Sequence, residues 1–235
     1  MTIKLTSTDL VQTFVNALVY GESGVGKTTL CGTAPNPLII SVEGGLLALA
    51  NKSLPVFEVD TRNDLNEVHE WLKLSKEADK FDTICIDSLS EVAEVLLSEE
   101  KLQTKDARQA YGAMADLMAV TVRGFRDFKK HVIFTAKNKK IIEESTGAIS
   151  YMPSVPGQQF LHGLPYFFDE VFYMDYGKLA DGTRYRFLNT VGDRQYIAKD
   201  RSGVLLPREK PDLQYIFDKI VPQRNAKVTQ IKPTK

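Results

Sequence analysis

Neither sign of charge is in excess. The chain has 30 basic and 30 acidic residues and a formal net charge of zero. Bulk attraction to nucleic acid is therefore excluded, and any such binding must come from a local patch. Cysteine is scarce. The two present, Cys31 and Cys85, form neither a CxxC pair nor a disulfide framework, and both lie in apolar segments that read as buried core. Three scattered histidines add no metal-ligand spacing to them. No apolar run approaches the ~18 residues that a membrane span needs, so no membrane partner is expected. The segment Met1–Tyr20 lacks a charged stretch followed by an apolar one, so no secretory leader is expected either. A reducing, cytoplasmic setting fits these absences. Internal repeats and low-complexity blocks are missing as well. What the chain does have is apolar residues, 43% of 235, enough for one sizeable core and short for two.

Those residues are distributed as short apolar runs alternating with helical patterns. The runs are Asn16–Tyr20, Pro37–Val42, Leu54–Val59, Thr83–Ile86 and His131–Thr135. Between the third and fourth, Leu65, Val68, Trp71 and Leu72 share one helical face within Asn63–Lys76. A second helix is expected after Ser88 and a long one over Ala107–Lys130. The alternation predicts an α/β fold: a mainly parallel sheet flanked by helices. After Ala136-Lys137 the texture changes to a polar loop bearing Gly, Ser and Pro, expected to run to about Leu164. Phe168–Asp175 and Arg184–Thr190 then read as a C-terminal hairpin turned at Asp181-Gly182. A short strand Gln195–Lys199 and a helix near Pro211–Ile220 follow. Residues 1–222 are expected to form one domain. Residues 223–235 carry Arg224, Lys227, Lys232 and Lys235 without an acid and read as a basic flexible tail.

The most specific motif is Gly21-Glu22-Ser23-Gly24-Val25-Gly26-Lys27-Thr28, followed by Thr29. It satisfies G-x-x-x-x-G-K-[ST] between an apolar strand and a helix, the context that confirms a P-loop. Glycines let backbone N–H groups turn toward phosphate oxygens, and the helix start adds partial positive charge. Lys27 is then expected at the β- and γ-phosphates of ATP and the Thr28 hydroxyl on magnesium. The metal needs a carboxylate, and Phe81–Ser88 supplies an apolar strand ending in Asp87, the Walker B pattern. An N-cap for the next helix is the other reading of Asp87, and the two roles can coexist. Hydrolysis also needs a group that orients or deprotonates water. Glu43 ends the run Ile39–Val42 at the carboxyl edge of a parallel strand, where such sheets bind ligands. Its plainer reading is a charge at the start of the segment from Leu46.

Ile40-Ser41-Val42-Glu43 followed by Thr83–Ser88 resembles the RecA-type recombinases and the related DnaB-type helicases. His131–Lys137 resembles their next strand, whose end holds a γ-phosphate-sensing residue, usually glutamine; here Lys137 stands there. Ile197–Gly203 is similar to the segment through which those ATPases insert a lysine and an arginine into a neighbour's site. The resemblance covers about Thr13 to Ile220 and implies a core-only version. GESGVGKTTL, Glu43-Gly44-Gly45, Leu164–Val171 and Lys199–Gly203 further resemble the phage-encoded, core-only RecA-like proteins of the Sak single-strand annealing group. That resemblance implies a magnesium-dependent ATPase, slow or DNA-stimulated, that assembles as a ring or filament. Catalysis would use Lys27, Glu43 and, in trans, Lys199 and Arg201. Single-stranded DNA would be the partner, with a single-strand DNA-binding protein as a further candidate.

The DNA-contacting loops of such cores correspond to Glu100–Gly112, with Lys105 and Arg108, and to Lys137–Gly163, with Lys139 and Lys140. Basic residues interleaved with aromatics suit sequence-independent binding. Glu143 and Glu144 dilute the second loop, and a solvated surface is the plainer reading of each. Other classes remain. A small-molecule kinase would need an Arg-rich lid, and none is evident. A GTPase would need Asn-Lys-x-Asp, which Lys137-Asn138-Lys139-Lys140 does not supply. A MinD-like partitioning ATPase would carry a lysine where Glu22 stands. A regulatory clamp that binds ATP against a protein partner is the non-enzymatic alternative.

Overall fold

The computed structural model describes residues 14–221. Its centre is five parallel strands: β1 (Asn16–Gly21), β2 (Pro37–Ser41), β3 (Val56–Glu58), β4 (Thr83–Asp87) and β5 (His131–Ile142). They lie in the order β3-β2-β4-β5-β1, so β5 separates the P-loop strand from the strand that ends in Asp87. This is the expected mainly parallel α/β sheet. Beyond it, β6 (Ile149–Ser154) pairs antiparallel with β5, and β7 (Glu170–Lys178) pairs parallel with β1. The P-loop thus leaves β1 from between β5 and β7. Antiparallel β8 (Arg184–Asn189), β9 (Lys199–Asp200) and β10 (Arg208–Glu209) finish that side of the sheet.

The central strands read as unbroken apolar runs because both their faces are covered. Leu18, Tyr20, Leu38, Ile40, Ile84, Ile86, Val132 and Phe134 point into one core cluster. Ala17, Val19, Ile39, Cys85 and Ile133, one residue out of step, point into the other. The first face is packed by α2 (Arg62–Leu74), α3 (Leu89–Gln103) and α4 (Ala107–Arg126). In α4 the buried positions Ala110, Met114, Met118, Val122 and Phe125 recur at helical spacing and define its inner stripe. A capping box between Thr61 and Asp64 starts α2. The second face is packed by α1 (Lys27–Cys31) and, late in the chain, α6 (Leu213–Ile220). Cys31 and Cys85 are both buried free thiols.

Two expected segments differ. The polar loop placed over 137–164 is a β-hairpin arm followed by α5 (Gln158–Gly163). β5 runs on to Ile142 and pairs with β6 from Lys137↔Ser154 to Ile142↔Ile149. Gly147, at φ 69°, turns the arm and donates its N–H to the Glu143 carbonyl. Much of the arm's outer part is exposed on both faces, so it has no core to impose the alternation by which strands are recognised. The expected strand Gln195–Lys199 reduces to two residues, Lys199–Asp200. Before it, the Asp193 carboxylate takes the N–H groups of Gln195 and Tyr196 in a turn. The basic segment 223–235 lies outside the described residues.

Candidate nucleotide site

β1 ends at Gly21, and the chain turns through Glu22–Gly26 into α1. Gly24 (φ 75°) and Gly26 (φ 110°) hold left-handed backbone that a side chain would strain. Ser23, Gly24, Gly26, Lys27, Thr28 and Thr29 line a cavity of about 820 Å³. Val25 turns inward to the core instead, and Glu22 is exposed. The Lys27 ammonium donates to the carbonyls of Gly21 at 2.9 Å and Glu22 at 3.0 Å. Burial pushes its pKa down, against the pull of the Asp87 and Glu43 carboxylates.

Strand order brings the acids to the same cavity. Asp87, at the carboxyl end of β4, accepts from the Thr28 hydroxyl at 2.6 Å and from the buried Thr135 hydroxyl of β5. The helix cap is not its job: Ser88 caps α3, accepting the N–H of Glu91. Glu43 lines the cavity just beyond β2. The following 3-10 turn is capped by Gly45 without a side chain. Lys137 enters from β5, its Nζ 3.6 Å from Glu43 Oε1 and bonded to Glu91 of α3. That bond to Glu91, with Glu43 adding to it, raises the Lys137 pKa.

Thr28 and Asp87 present hard oxygen donors 2.6 Å apart, a donor set that fits magnesium. Among the described residues no group of three or more His, Cys, Asp or Glu is placed to hold a metal. That is compatible with magnesium, which often takes one or two carboxylates and completes its shell with water and substrate phosphate.

Ala48, Asn138, Arg186 and Tyr176 also meet the site and escaped the sequence reading. Arg186 of β8 lines the cavity, and Tyr176 of β7 donates its hydroxyl to the Gly24 carbonyl at 2.7 Å. For these last two the only sequence signal was the Asp181-Gly182 turn, which sets the register between their strands. Lys199 and Arg201 are not in the cavity. β9 pairs with the start of β7, Glu170 opposite Asp200, at the sheet end away from the P-loop. Lys199 there donates to the Pro165 and Phe168 carbonyls at 2.7 and 2.5 Å, and Arg201 pairs with Asp169 at 2.8 Å. Both cations are held by their own chain, and these bonds must break before either reaches a neighbour.

The DNA candidates fall on two surfaces. Lys139 and Lys140 are exposed on the β5–β6 arm. Exposed Lys105 and Arg108 flank the start of α4, where a second cavity of about 580 Å³ opens between Arg108, Tyr111, Gly157 and Phe160. The Lys101 ammonium lies 5.7 Å from the centre of the Tyr111 ring. Among the described residues no helix is long and apolar enough to cross a membrane.

A protein-family model described as "AAA domain" matches residues 13–202, from the edge of β1 past β9. No curated protein matches the chain. Among solved structures, a KaiC-like protein of the hyperthermophilic archaeon Pyrococcus horikoshii is similar. It is 14% identical, with a TM-score of 0.42 over 74% of this chain and 76% of that one.

Proposed function

This chain belongs to the AAA-domain family, and from that premise we propose that it is a magnesium-dependent ATPase acting on single-stranded DNA in recombination or annealing. The observation that carries the ATPase reading is the convergence of Lys27, Thr28, Asp87 and Glu43 on one cavity. The P-loop N–H groups and Lys27 bind the triphosphate. Thr28 and Asp87 would hold magnesium, which when bound offsets phosphate charge. Glu43 orients a water and takes its proton as that water attacks. Lys137, tied to Glu91, fixes the Glu43 carboxylate from the side.

The DNA reading is supported by a cation beside an exposed ring, Arg108 with Tyr111 at the second cavity, and by exposed Lys139 and Lys140 along the arm. Resemblance to the annealing group supports self-assembly as a ring or filament and a single-strand DNA-binding protein as partner. The test is ATP turnover titrated with single-stranded DNA. Turnover that rises with DNA supports the reading. A chain that binds no ATP overturns it, and turnover without any DNA affinity removes the DNA half.

A further inference from the structure

β7 and β8 are joined by a tight turn in which Leu179 and Thr183 pair through the backbone and Gly182 takes φ 85°. The resulting register sets Tyr176 opposite Arg186, and both side chains lie on the phosphate loop. Tyr176 bonds to the Gly24 carbonyl. The Arg186 guanidinium covers Gly26 so closely that a Cβ there would stand 3.2 Å from its Cζ, Nε and Nη1. Its Cζ is 5.8 Å from the centre of the Tyr176 ring.

The other cations of the cavity are already engaged. Lys27 is on two carbonyls and Lys137 on two carboxylates. Among the described residues no carboxylate lies within ion-pair distance of Arg186. A guanidinium offers five donors in a planar fork that matches phosphate oxygens. Held against a phosphate loop without a protein anion, it is suited to an anionic ligand in that loop.

We propose that Arg186 engages the ATP triphosphate in cis, carried to the P-loop by the chain's own β7–β8 hairpin. The inference rests on the ATPase reading of this cavity and adds the residue that answers the charge of the transferring phosphoryl group. In that step the water oxygen bonds to the γ-phosphorus and its proton passes to Glu43. The bond from the γ-phosphorus to the bridging oxygen breaks, and its electron pair leaves with ADP. Arg186 neutralises charge on the phosphate oxygens throughout.

The experiment uses the full chain with Arg186→Ala and Arg186→Gln, the latter keeping a stem over Gly26 and Tyr176. Nucleotide binding, kcat, KM and Tm are measured against the parent. At unchanged Tm, kcat should fall ~10³-fold or more, the range for arginine fingers, and added guanidinium ion should partly restore turnover to Arg186→Ala. If the alanine variant does not fold, the glutamine variant carries the same test. Arg186→Ala mixed with Lys27→Ala should stay inactive, because neither chain holds both groups. Turnover within about threefold of the parent, or activity returning in the mixture, overturns cis delivery while leaving the ATPase reading standing. A parent that binds no nucleotide overturns both.

Discussion

At the carboxyl end of the sheet, Lys27, Lys137 and Arg186 line an open cavity with Glu43 and Asp87. At the start of β7, Lys199, Arg201, Asp169, Glu170 and Asp200 form a second charged cluster on the same sheet. The residue types match, and Lys27, Lys137, Lys199 and Arg201 all have partners within the chain. Only the first set, among the described residues, lines a cavity with an uncommitted cation, Arg186. In the second cluster the charges are met by the chain itself: Lys199 by carbonyls, Arg201 by Asp169, and Asp200 by the N–H groups of Gly203 and Leu205 and the Ser202 hydroxyl. Burial pushes the Glu170 carboxyl up to about 8, and the Asp200 charge beside it adds to the rise. Burial alone would raise Asp200 too, but its hydrogen bonds outweigh that and hold it low. The pair therefore keeps a proton on Glu170 and a charge on Asp200. Charges packed at a strand junction hold strands together, and charges that line a cavity can exchange their internal partners for a ligand.

The sharpest way to break this contrast is Lys27→Ala. Nucleotide binding or turnover should be lost while Tm stays at the parental value, read by nucleotide titration and thermal melting. Parental turnover would remove the carboxyl end's claim to the phosphate. Next, Glu43→Gln should keep ATP binding and lose ~10²–10⁴ in kcat, as general-base loss does. Turnover within about twofold would mean that another group takes the proton.

At the other end the loss should appear as stability. Lys199→Met leaves two carbonyls without their donor and should cost about 1–3 kcal/mol in denaturant unfolding. The two clusters would turn out alike if Arg201→Ala, inactive alone, regained turnover when co-assembled with Lys27→Ala, because Arg201 would then serve a neighbour's site.

A pH series sharpens the contrast further. The folded pKa of Glu170 lies above the unfolded carboxylate value, so its contribution is fully present below that value. It declines as pH rises and is gone above about 8. Glu170→Gln should flatten the unfolding profile across this window, and an unchanged profile would show that Glu170 does not hold the proton. The smallest effect expected is for Lys139→Ala with Lys140→Ala. Each lost phosphate contact removes about 0.7 from the log–log salt slope of single-strand binding. An unchanged slope would move the contact to Arg108 or to the basic segment 223–235.

Much of the nucleotide site was legible because it is written locally. The P-loop is one contiguous motif, and Glu43 and Asp87 each end an apolar run whose parallel pairing delivers them to the same edge. Arg186 was not legible. Its approach to Gly26 depends on a register fixed by the hairpin turn and on β7 pairing with β1, neither of which leaves a mark beside Gly26 in the sequence. Lys137 could be placed at the end of a strand, but its partners Glu43 and Glu91 come from separate elements that only the fold brings together. The β5–β6 arm escaped for the opposite reason. Periodicity reports burial, and a strand that leaves the core carries little of it.

β5 is twelve residues long and contains neither glycine nor proline. Its inner part is clamped between β1 and β4, its Lys137 stands in the cavity, and its outer part carries Lys139 and Lys140 into solvent. At about 3.3 Å per residue, Lys137 and Lys140 are ~10 Å apart along one paired strand. One strand without glycine or proline thus joins an exposed basic surface to the side chain that pairs with Glu43. A ligand that displaced the arm would therefore be connected to the cavity through the paired backbone of a single strand.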